Sequence, residues 1–185
     1  MYYRNYRRSR KNEMTFKEEE RGYEERSPKE DILLNMKNQL EWVKRQLEYV
    51  RCETMHKDTP RSLKKGEVYE FDWGLNVRHE FSNRHYGVVL ADSDCQNPLV
   101  LVCPLKTNHG EIHPSSDVLL GKMEGVEDER ETIAVINQIR SLDKLRLYVR
   151  PIIQGEFSTK CLFQLSNAQM KKIMDGIANY LLRES

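Results

Sequence analysis

Apolar residues recur three and four positions apart in the segment that follows residue 27. They stand at Leu33, Met36, Leu40, Val43, Leu47 and Val50. This is the spacing of a coiled-coil seam, and Ser27-Pro28 followed by Glu30 supplies the start signals of a helix. The pattern predicts a helix over residues 27–57 and leaves two interpretations open: a coiled coil between chains, or one amphipathic helix packed on the domain that follows. Three apolar residues outside the seam favour some burial of the second kind: Ile32, Trp42 and Tyr49.

From residue 64 the pattern changes to short apolar runs separated by turn residues. Strands are predicted over residues 66–73, 87–91, 99–103, 117–120 and 132–136. The second and third form a hairpin around a polar loop, and several short strands at close spacing predict a small barrel or sandwich. A three-and-four spacing from Met170 to Leu181 predicts a closing amphipathic helix, capped by Ser166 or Asn167.

Composition narrows the class of protein. A chain of 185 residues with a formal net charge of +1 holds one ordinary domain plus an appendage, and it lacks the bulk charge of a general nucleic-acid binder. Four widely spaced cysteines predict reduced, core-type thiols rather than a zinc site or disulfides. Without a membrane-length apolar run or a signal peptide, we expect a soluble, cytoplasmic protein. The predicted organisation is a disordered charged tail, a helix, a linker and a barrel domain, over 1–26, 27–57, 58–63 and 64–185.

The run from Val135 to Lys144 takes an apolar strand directly into an Asn-Gln-Ile-Arg tetrad and a Ser-Leu-Asp-Lys turn. Alternation along a strand predicts one face with Val135, Asn137 and Ile139 and another with Ile136, Gln138 and Arg140. Because buried polar groups need partners, this strand end is expected in water or at a site.

The segment between the first two strands is a polar loop over residues 74–86. It holds two histidines, two arginines, a glutamate and two asparagines. Histidine transfers protons near neutral pH, and arginine binds phosphate through two parallel hydrogen bonds. The loop is therefore a candidate site for cleavage at an RNA phosphate, with a merely solvated loop as the alternative.

Four segments together resemble the MazF/PemK family of toxin ribonucleases. They are Lys65 to Tyr69, Glu80 to Leu90, Pro104 to Thr107 and Asn137 to Lys144. The resemblance covers about residues 64–185 and implies a mainly β fold, an SH3-like barrel with a C-terminal helix. It also implies a homodimer that, without metal or cofactor, cleaves single-stranded RNA to a 2′,3′-cyclic phosphate and a 5′-hydroxyl. In that reading the chain is the toxin of a type II system with a cognate antitoxin.

The resemblance also suggests roles for individual residues. The family's catalytic arginine aligns with His85, preceded by Arg84, and its catalytic threonine aligns with Lys106, followed by Thr107. We expect His85 to be the acid or base, Arg84 and Lys106 to stabilise the phosphorane, and Thr107 to bind a phosphate oxygen. Neighbouring strand residues point oppositely, so both members of a pair need not face the site. RNA contacts are expected from Arg78, His79, Glu80, Asn83, Asn108, His109, Gln138 and Arg140.

Two alternatives remain, because His85 and Lys106 depart from the commonest family pattern. In one, a barrel without catalytic activity binds nucleic acid, RNA or DNA, or a peptide. In the other, the N-terminal helix and tail lie over the groove as a built-in substitute for an antitoxin. His109 and His113 stand four apart, but Gly110 and Pro114 argue against a helix there, so no metal site is expected.

Overall fold

The computed structural model describes residues 27–54, 61–123, 130–148, 150–151, 157–158 and 161–182. Contacts divide the chain into two compact units, Met1–Asn38 and Gln39–Ser185. The predicted tail over residues 1–26 and the first half of the predicted linker, residues 58–60, lie outside the described residues. Leu63, at the end of that linker, is fully buried and exchanges two backbone hydrogen bonds with Ser93. Within the described parts, no helix is both long and apolar enough to cross a membrane.

The N-terminal helix, α1, spans Pro28–Thr54. The Ser27 amide donates to Glu30 Oε2 at 2.6 Å, and the Glu30 amide donates to Ser27 Oγ at 3.4 Å. This reciprocal pair is a capping box, which satisfies two amides at the start of the helix, so the helix start predicted from Ser27 and Glu30 is confirmed. We call the six apolar residues with coiled-coil spacing the heptad stripe: Leu33, Met36, Leu40, Val43, Leu47 and Val50. The side chains of all six are exposed, by 47–65%.

A different face of α1 contacts the strands within the second unit. Tyr49 donates its hydroxyl to Asp72 Oδ2 at 2.7 Å, and Arg45 Nε lies 3.0 Å from the same oxygen. The Trp42 ring would touch a Cβ added at Gly74. The predicted burial outside the heptad stripe is therefore found at Trp42 and Tyr49, whereas Ile32 is 57% exposed.

The second unit is built on an antiparallel sheet that curls into a half-barrel. Its strands are β1 (Glu67–Asp72), β2 (Arg84–Val89), β3 (Leu99–Thr107), β4 (Asp117–Gly121), β5 (Thr132–Val135), β6 (Arg140–Asp143) and β9 (Phe163–Gln164). Strand order is β4-β5-β3-β2-β1-β9, with β6 also paired to β3. A separate two-stranded ladder joins β7 (Arg150–Pro151) and β8 (Phe157–Ser158). The predicted fold class and the β2–β3 hairpin are confirmed.

Two apolar clusters fill the faces of this sheet. The helix-side cluster lies under the C-terminal helix and includes Val68, Val88, Cys103, Leu105, Ile136, Met170 and Ile173. The loop-side cluster includes Leu63, Phe71, Trp73, Val89, Val100, Val102 and Leu142. Burying each such side chain contributes about 1.5–3 kcal/mol, which makes the sheet a rigid support for the loops at its edges.

The C-terminal helix, α2, spans Asn167–Leu181 and closes the helix-side cluster. Ser166 is its N-cap and forms a capping box with Gln169, so one of the two predicted caps is confirmed. Met170 and Ile173 are buried, whereas Tyr180 and Leu181 at the far end are exposed.

The run from Val135 to Lys144 departs from its predicted single strand. Strand β5 ends at Val135, a 3-10 turn occupies Ile136–Gln138, and β6 begins at Arg140. The alternating faces predicted beyond Val135 are therefore wrong. Ile136 is buried in the helix-side cluster, and the turn allows the chain to move from pairing with the second half of β3 to pairing with its first half.

The observed burial changes two predictions, one for Lys144 and one for the cysteines. Of the predicted Ser-Leu-Asp-Lys turn, residues 141–143 belong to β6 instead, and Lys144 begins a 3-10 turn. Lys144 is 3% exposed, and its Nζ donates to the carbonyls of Arg61 at 2.8 Å and Asp94 at 2.5 Å. The lysine thus ties the end of β6 to two other segments. The four cysteines are free, as predicted, but Cys103 alone among them is buried and Cys95 is exposed, so the core-type assignment is wrong for Cys95.

Candidate active site at the fork between two strands

Strands β2 and β3 pair along part of their length and then separate. Their ladder runs from Val89 opposite Val102 to Gly87 opposite Pro104, and Pro104 has no N–H with which to continue it. Beyond this point β2 continues beside β1 and β3 continues beside β5. We call the ends that diverge, Arg84–Tyr86 and Leu105–Thr107, the fork.

Alternation along the fork strands separates the four candidate catalytic residues into two pairs. His85 shares its face with Val89, and Lys106 shares its face with Val102, both of the loop-side cluster. Arg84 and Thr107 share the opposite face. Gly87 is paired with Pro104, and His85 and Lys106 each lie two residues beyond that pair, so alternation places both side chains on one face of the fork.

Arg84 extends away from the fork. Its guanidinium carbon lies 3.7 Å from the centroid of the Tyr148 ring. The Tyr148 amide donates to the Glu70 carbonyl, on the edge of β1 that is turned away from β2. The side chain therefore reaches across β1, and its cationic group is engaged by an aromatic face.

His85 is held against aromatic side chains. Its ring meets the Phe81 ring edge-on with centroids 4.8 Å apart, and Trp73 Nε1 donates to the His85 carbonyl at 3.2 Å. Burial lowers the pKa of His85 to about 4, partly opposed by a hydrogen bond with the Ser82 backbone. The imidazole is therefore neutral at pH 7, and its protonated form is a stronger acid than an exposed histidine.

The Lys106 ammonium is held in place by the carboxylate of Asp117. Its Nζ lies 2.7 Å from Asp117 Oδ2, which also accepts the His113 amide at 3.0 Å. The Asp117 side chain is 1% exposed and the Lys106 side chain is 31% exposed. The other oxygen, Asp117 Oδ1, is buried without a hydrogen-bond partner. The pair thus anchors a cation that remains accessible to an anion at the fork.

The polar loop before β2 is clipped to the 3-10 turn by one side chain. Gln138 Oε1 accepts the Phe81 amide at 2.8 Å, and Gln138 Nε2 donates to the His79 carbonyl at 2.8 Å. Inside the loop, the Asn76 side-chain amide donates to the carbonyls of Trp73 and Phe81 at 2.9 and 2.6 Å. These bonds position Phe81, which in turn packs on His85.

Comparison with known proteins identifies the family of this fold. The sequence model of the PemK-like, MazF-like toxins of type II toxin-antitoxin systems matches residues 64–181. The chain belongs to this family. Members of the MazF/PemK family are endoribonucleases, and helix α1 lies outside the matched domain. A search of curated proteins found no match.

Solved structures of similar fold include MazF toxins. One is MazF from Deinococcus radiodurans, 15% identical with a TM-score of 0.47, covering 65% of this chain and 97% of that chain. Another is an endoribonuclease in complex with its cognate antitoxin from a Mycobacterial species, 19% identical with a TM-score of 0.42, covering 66% and 98%. A MazE-MazF complex from Deinococcus radiodurans is 18% identical with a TM-score of 0.43, covering 68% and 99%.

The residues expected to contact RNA fall into separate places on this MazF/PemK domain. Arg78, His79 and Glu80 are exposed on the clipped loop, with Arg78 and the nearby Asn83 in left-handed backbone conformations at φ 48° and 64°. Gln138 joins this group, although both ends of its amide are bonded to the loop backbone. Arg140 is exposed on β6.

Asn108 and His109 form a different group, in the turn after β3. The Asn108 amide donates to the Glu131 carbonyl at 2.8 Å, and its side-chain oxygen accepts the Gly110 amide at 2.9 Å. His109 Nδ1 lies 3.1 Å from an Arg130 guanidinium nitrogen. Asn108 therefore shapes the turn, while His109 is exposed next to a second cationic side chain.

Two residues that hold candidate side chains of this MazF/PemK domain were missed by sequence reasoning. Asp117 opens β4, in a segment whose pattern predicts only a strand, and its carboxylate holds Lys106. Tyr148 carried no motif, although it engages Arg84. Neither contact has a signal in the sequence, because each joins segments that only the folded sheet brings together.

Proposed function

We propose that this chain is a toxin endoribonuclease that cleaves single-stranded RNA at the fork, on the face that carries His85 and Lys106. Membership of the MazF/PemK family supports the class of reaction. The location rests on one observation: a half-buried imidazole that is neutral at pH 7 lies on the same face as an accessible ammonium, which a buried carboxylate holds. The 2′-hydroxyl attacks the adjacent phosphate, leaving a 2′,3′-cyclic phosphate and a 5′-hydroxyl, with no metal ion required.

His85 moves the proton in this reaction. The neutral imidazole accepts the proton of the 2′-hydroxyl as the 2′-oxygen bonds to phosphorus. As the bond from phosphorus to the 5′-oxygen breaks, the imidazolium returns that proton to the leaving 5′-oxygen. Because burial lowers the pKa of His85 to about 4, the second transfer is the more favourable, and the base is unprotonated throughout the neutral range.

Lys106 stabilises the charge that develops on the non-bridging phosphate oxygens. An ammonium already fixed by Asp117 needs little reorganisation to meet this charge, which is the condition for effective electrostatic stabilisation. Arg84 has no part in the chemical step in this proposal, because its guanidinium is engaged by Tyr148. Thr107, on the same face as Arg84, is likewise assigned no chemical role.

The polar loop binds the RNA that enters the fork. Arg78 and His79 are exposed on it, and Arg140 is exposed on the neighbouring strand β6. These side chains contact phosphates and base edges of an unpaired strand. As a toxin of a type II system, the chain pairs with a protein antitoxin, and it acts as a homodimer like the family it resembles.

The test is incubation of the full chain with a mixed-sequence RNA in excess EDTA, followed by mapping of both new ends. Defined cuts with 2′,3′-cyclic phosphate and 5′-hydroxyl ends are expected, and a His85→Ala protein should leave the RNA intact. Ends bearing a 5′-phosphate, or cuts abolished by the chelator, would contradict the mechanism.

A barrel that binds RNA without cutting it is the second candidate. It is favoured by one feature, the His85 and Lys106 side chains at positions where the family has arginine and threonine. This candidate predicts a retarded but uncut RNA in the same mixture. Cuts removed by His85→Ala would eliminate it.

A further inference from the structure

Helix α1 has two faces with different surroundings. Trp42, Arg45 and Tyr49 contact the strands at Gly74 and Asp72, as described above. The heptad stripe lies on roughly the opposite side of the same helix, since Leu40 and Leu47 are separated from those contact residues by wide angles at 100° per residue. Leu40, Val43, Leu47 and Val50 are 57%, 47%, 63% and 55% exposed. The stripe is therefore apolar, continuous and outward-facing.

The regularity of the stripe points to another helix with the same repeat. Apolar residues that repeat every 3.5 residues stay in contact with a partner helix when the two helices wind around each other. A straight helix on a globular surface instead needs apolar residues that repeat every 3.6 residues. The same spacing extends to Met36 and Leu33 on the same helix. Two copies of the stripe would bury on the order of 1,000 Å², the size at which specific interfaces begin.

The chain's own N-terminal segment is a poor occupant for this stripe. Residues 1–26 contain no leucine, isoleucine, valine or alanine, and are dominated by arginine, lysine and glutamate. Such a segment cannot supply the alternating apolar knobs that fill the holes between stripe residues. A second copy of α1 can, because a heptad stripe is complementary to itself.

Charges beside the stripe select the orientation of the two copies. Each heptad of the stripe has two apolar positions, and Leu33, Leu40 and Leu47 occupy the first of them. The residue directly after the second apolar position is basic in all three heptads: Lys37, Lys44 and Arg51. Antiparallel helices would bring these positions together, cation against cation. Parallel helices set Lys44 and Arg51 beside Gln39 and Gln46 of the partner copy, without like-charge contact.

The anchored helix also lowers the cost of pairing. A coiled coil of three heptads would be marginal if the helix had to fold at the same time. Here the Tyr49 hydroxyl and Arg45 hold the helix to Asp72, and Lys44 Nζ lies 2.8 Å from Glu41 within the helix. The stripe is thus preorganised before association.

We propose that α1 joins copies of this chain through a parallel coiled coil along Leu33, Met36, Leu40, Val43, Leu47 and Val50. The toxin domains stand on the outer faces of the joined helices. This assembly surface belongs to the N-terminal extension and is separate from the RNA-cleaving fork. It does not depend on whether the fork is catalytic.

The first test is the mass of the full chain in solution, measured by light scattering during gel filtration. The matched pair is L40Q/L47Q, in the stripe, and E41Q/E48Q, one residue along on the same helix; all four side chains are exposed. We expect L40Q/L47Q to lower the mass at least twofold at equal concentration, and E41Q/E48Q to leave it unchanged. A barrel dimer that joins the same two copies would keep the mass unchanged, so equal masses for wild type and L40Q/L47Q would overturn the proposal when the disulfide test below also gives no linked dimer.

The second test reads the orientation. A Val50→Cys chain with Cys95→Ser, which removes the exposed native thiol, is oxidised and examined on a non-reducing gel. Parallel helices bring residue 50 beside residue 50 of the partner copy, so a disulfide-linked dimer is expected. An antiparallel pair brings it beside Leu33 instead, and an oligomer that gives no linked dimer would contradict the parallel arrangement.

Discussion

His85 shows how position in a fold changes the chemistry of one side chain. The same residue in a solvated loop would be half-protonated near pH 6.5. Against the Phe81 ring it loses hydration, and its pKa falls to about 4. The sequence indicates a histidine at this location, but the protonation state depends on aromatic neighbours that the loop brings in from outside β2.

The first prediction concerns the stability of the fold at mildly acidic pH. The pKa of His85 is lower in the folded than in the unfolded chain, so the unfolded chain binds more protons between about pH 4 and pH 6.5. Its contribution to stability is therefore fully present above pH 6.5 and is lost as pH falls toward 4. From pH 7 to pH 5 this histidine should lower the free energy of unfolding by about 2 kcal/mol.

Urea denaturation at the two pH values measures this loss. A His85→Gln chain lacks the titrating group and should lose correspondingly less stability over the same interval. Identical pH dependence in the two proteins would show that the imidazole is not desolvated in the folded state.

Gln138 carries the second prediction at this scale. Replacing Gln138 by Ala removes both hydrogen bonds to the loop backbone and should lower the free energy of unfolding by about 1–2 kcal/mol. The loop that positions Phe81 should also become more accessible to hydrogen exchange. The neighbouring Asn137→Ala is the control, because Asn137 is exposed and should change stability by less than about 0.5 kcal/mol. Equal losses of stability for the two substitutions would show that the Gln138 hydrogen bonds do not stabilise the loop.

Among the elements, those with a strong local period could be predicted from the sequence. Both helices and their serine caps follow from apolar spacing and capping residues, and the β2–β3 hairpin follows from two apolar runs around a polar loop. The 3-10 turn at Ile136–Gln138 could not be predicted in this way. It depends on Ile136 entering the core and on Gln138 meeting a loop more than fifty residues away.

The sequence indicates a location for the proposed site, at residues 84–85 and 106–107, but not which member of each pair faces it. The family resemblance directed attention to residues 84–85 and 106–107, and strand alternation alone warned that each pair would be split. Which member faces the fork depends on the register between β2 and β3, and the engagement of Arg84 depends on Tyr148. The strand register and the Arg84–Tyr148 contact both depend on tertiary structure, so no local sequence pattern predicts them.

The third prediction concerns the attachment of α1. Burial and the Asp72 carboxylate raise the pKa of Tyr49, so its hydroxyl stays protonated and donates to Asp72. Tyr49→Phe leaves that buried carboxylate with one donor fewer and should lower the free energy of unfolding by about 1–2 kcal/mol. Tyr180→Phe, at a tyrosine 42% exposed, is the control for loss of a phenol hydroxyl. No difference between the two proteins in thermal or urea unfolding would show that this contact does not stabilise the fold.

At the scale of the whole molecule, the chain combines a MazF/PemK domain with a helix that the family model does not cover. The helix contributes one face to its own domain, through Asp72, and presents the other as a heptad stripe. Asp72 also accepts the Gly74 amide at 3.0 Å, at the start of the polar loop. The helix is therefore connected to the base of the loop that forms one side of the proposed site.

The central claim is that the reaction occurs on the His85–Lys106 face of the fork rather than on the Arg84–Thr107 face. The most direct measurement is the single-turnover rate of RNA cleavage, in EDTA, by full-length proteins carrying one alanine substitution at each of the four positions. His85→Ala should slow cleavage by about 100-fold or more, the usual effect of losing a proton-transfer group. Lys106→Ala should also slow it strongly, while Arg84→Ala and Thr107→Ala should leave the rate near that of the wild type. Full activity in His85→Ala together with loss of activity in Arg84→Ala would contradict the account.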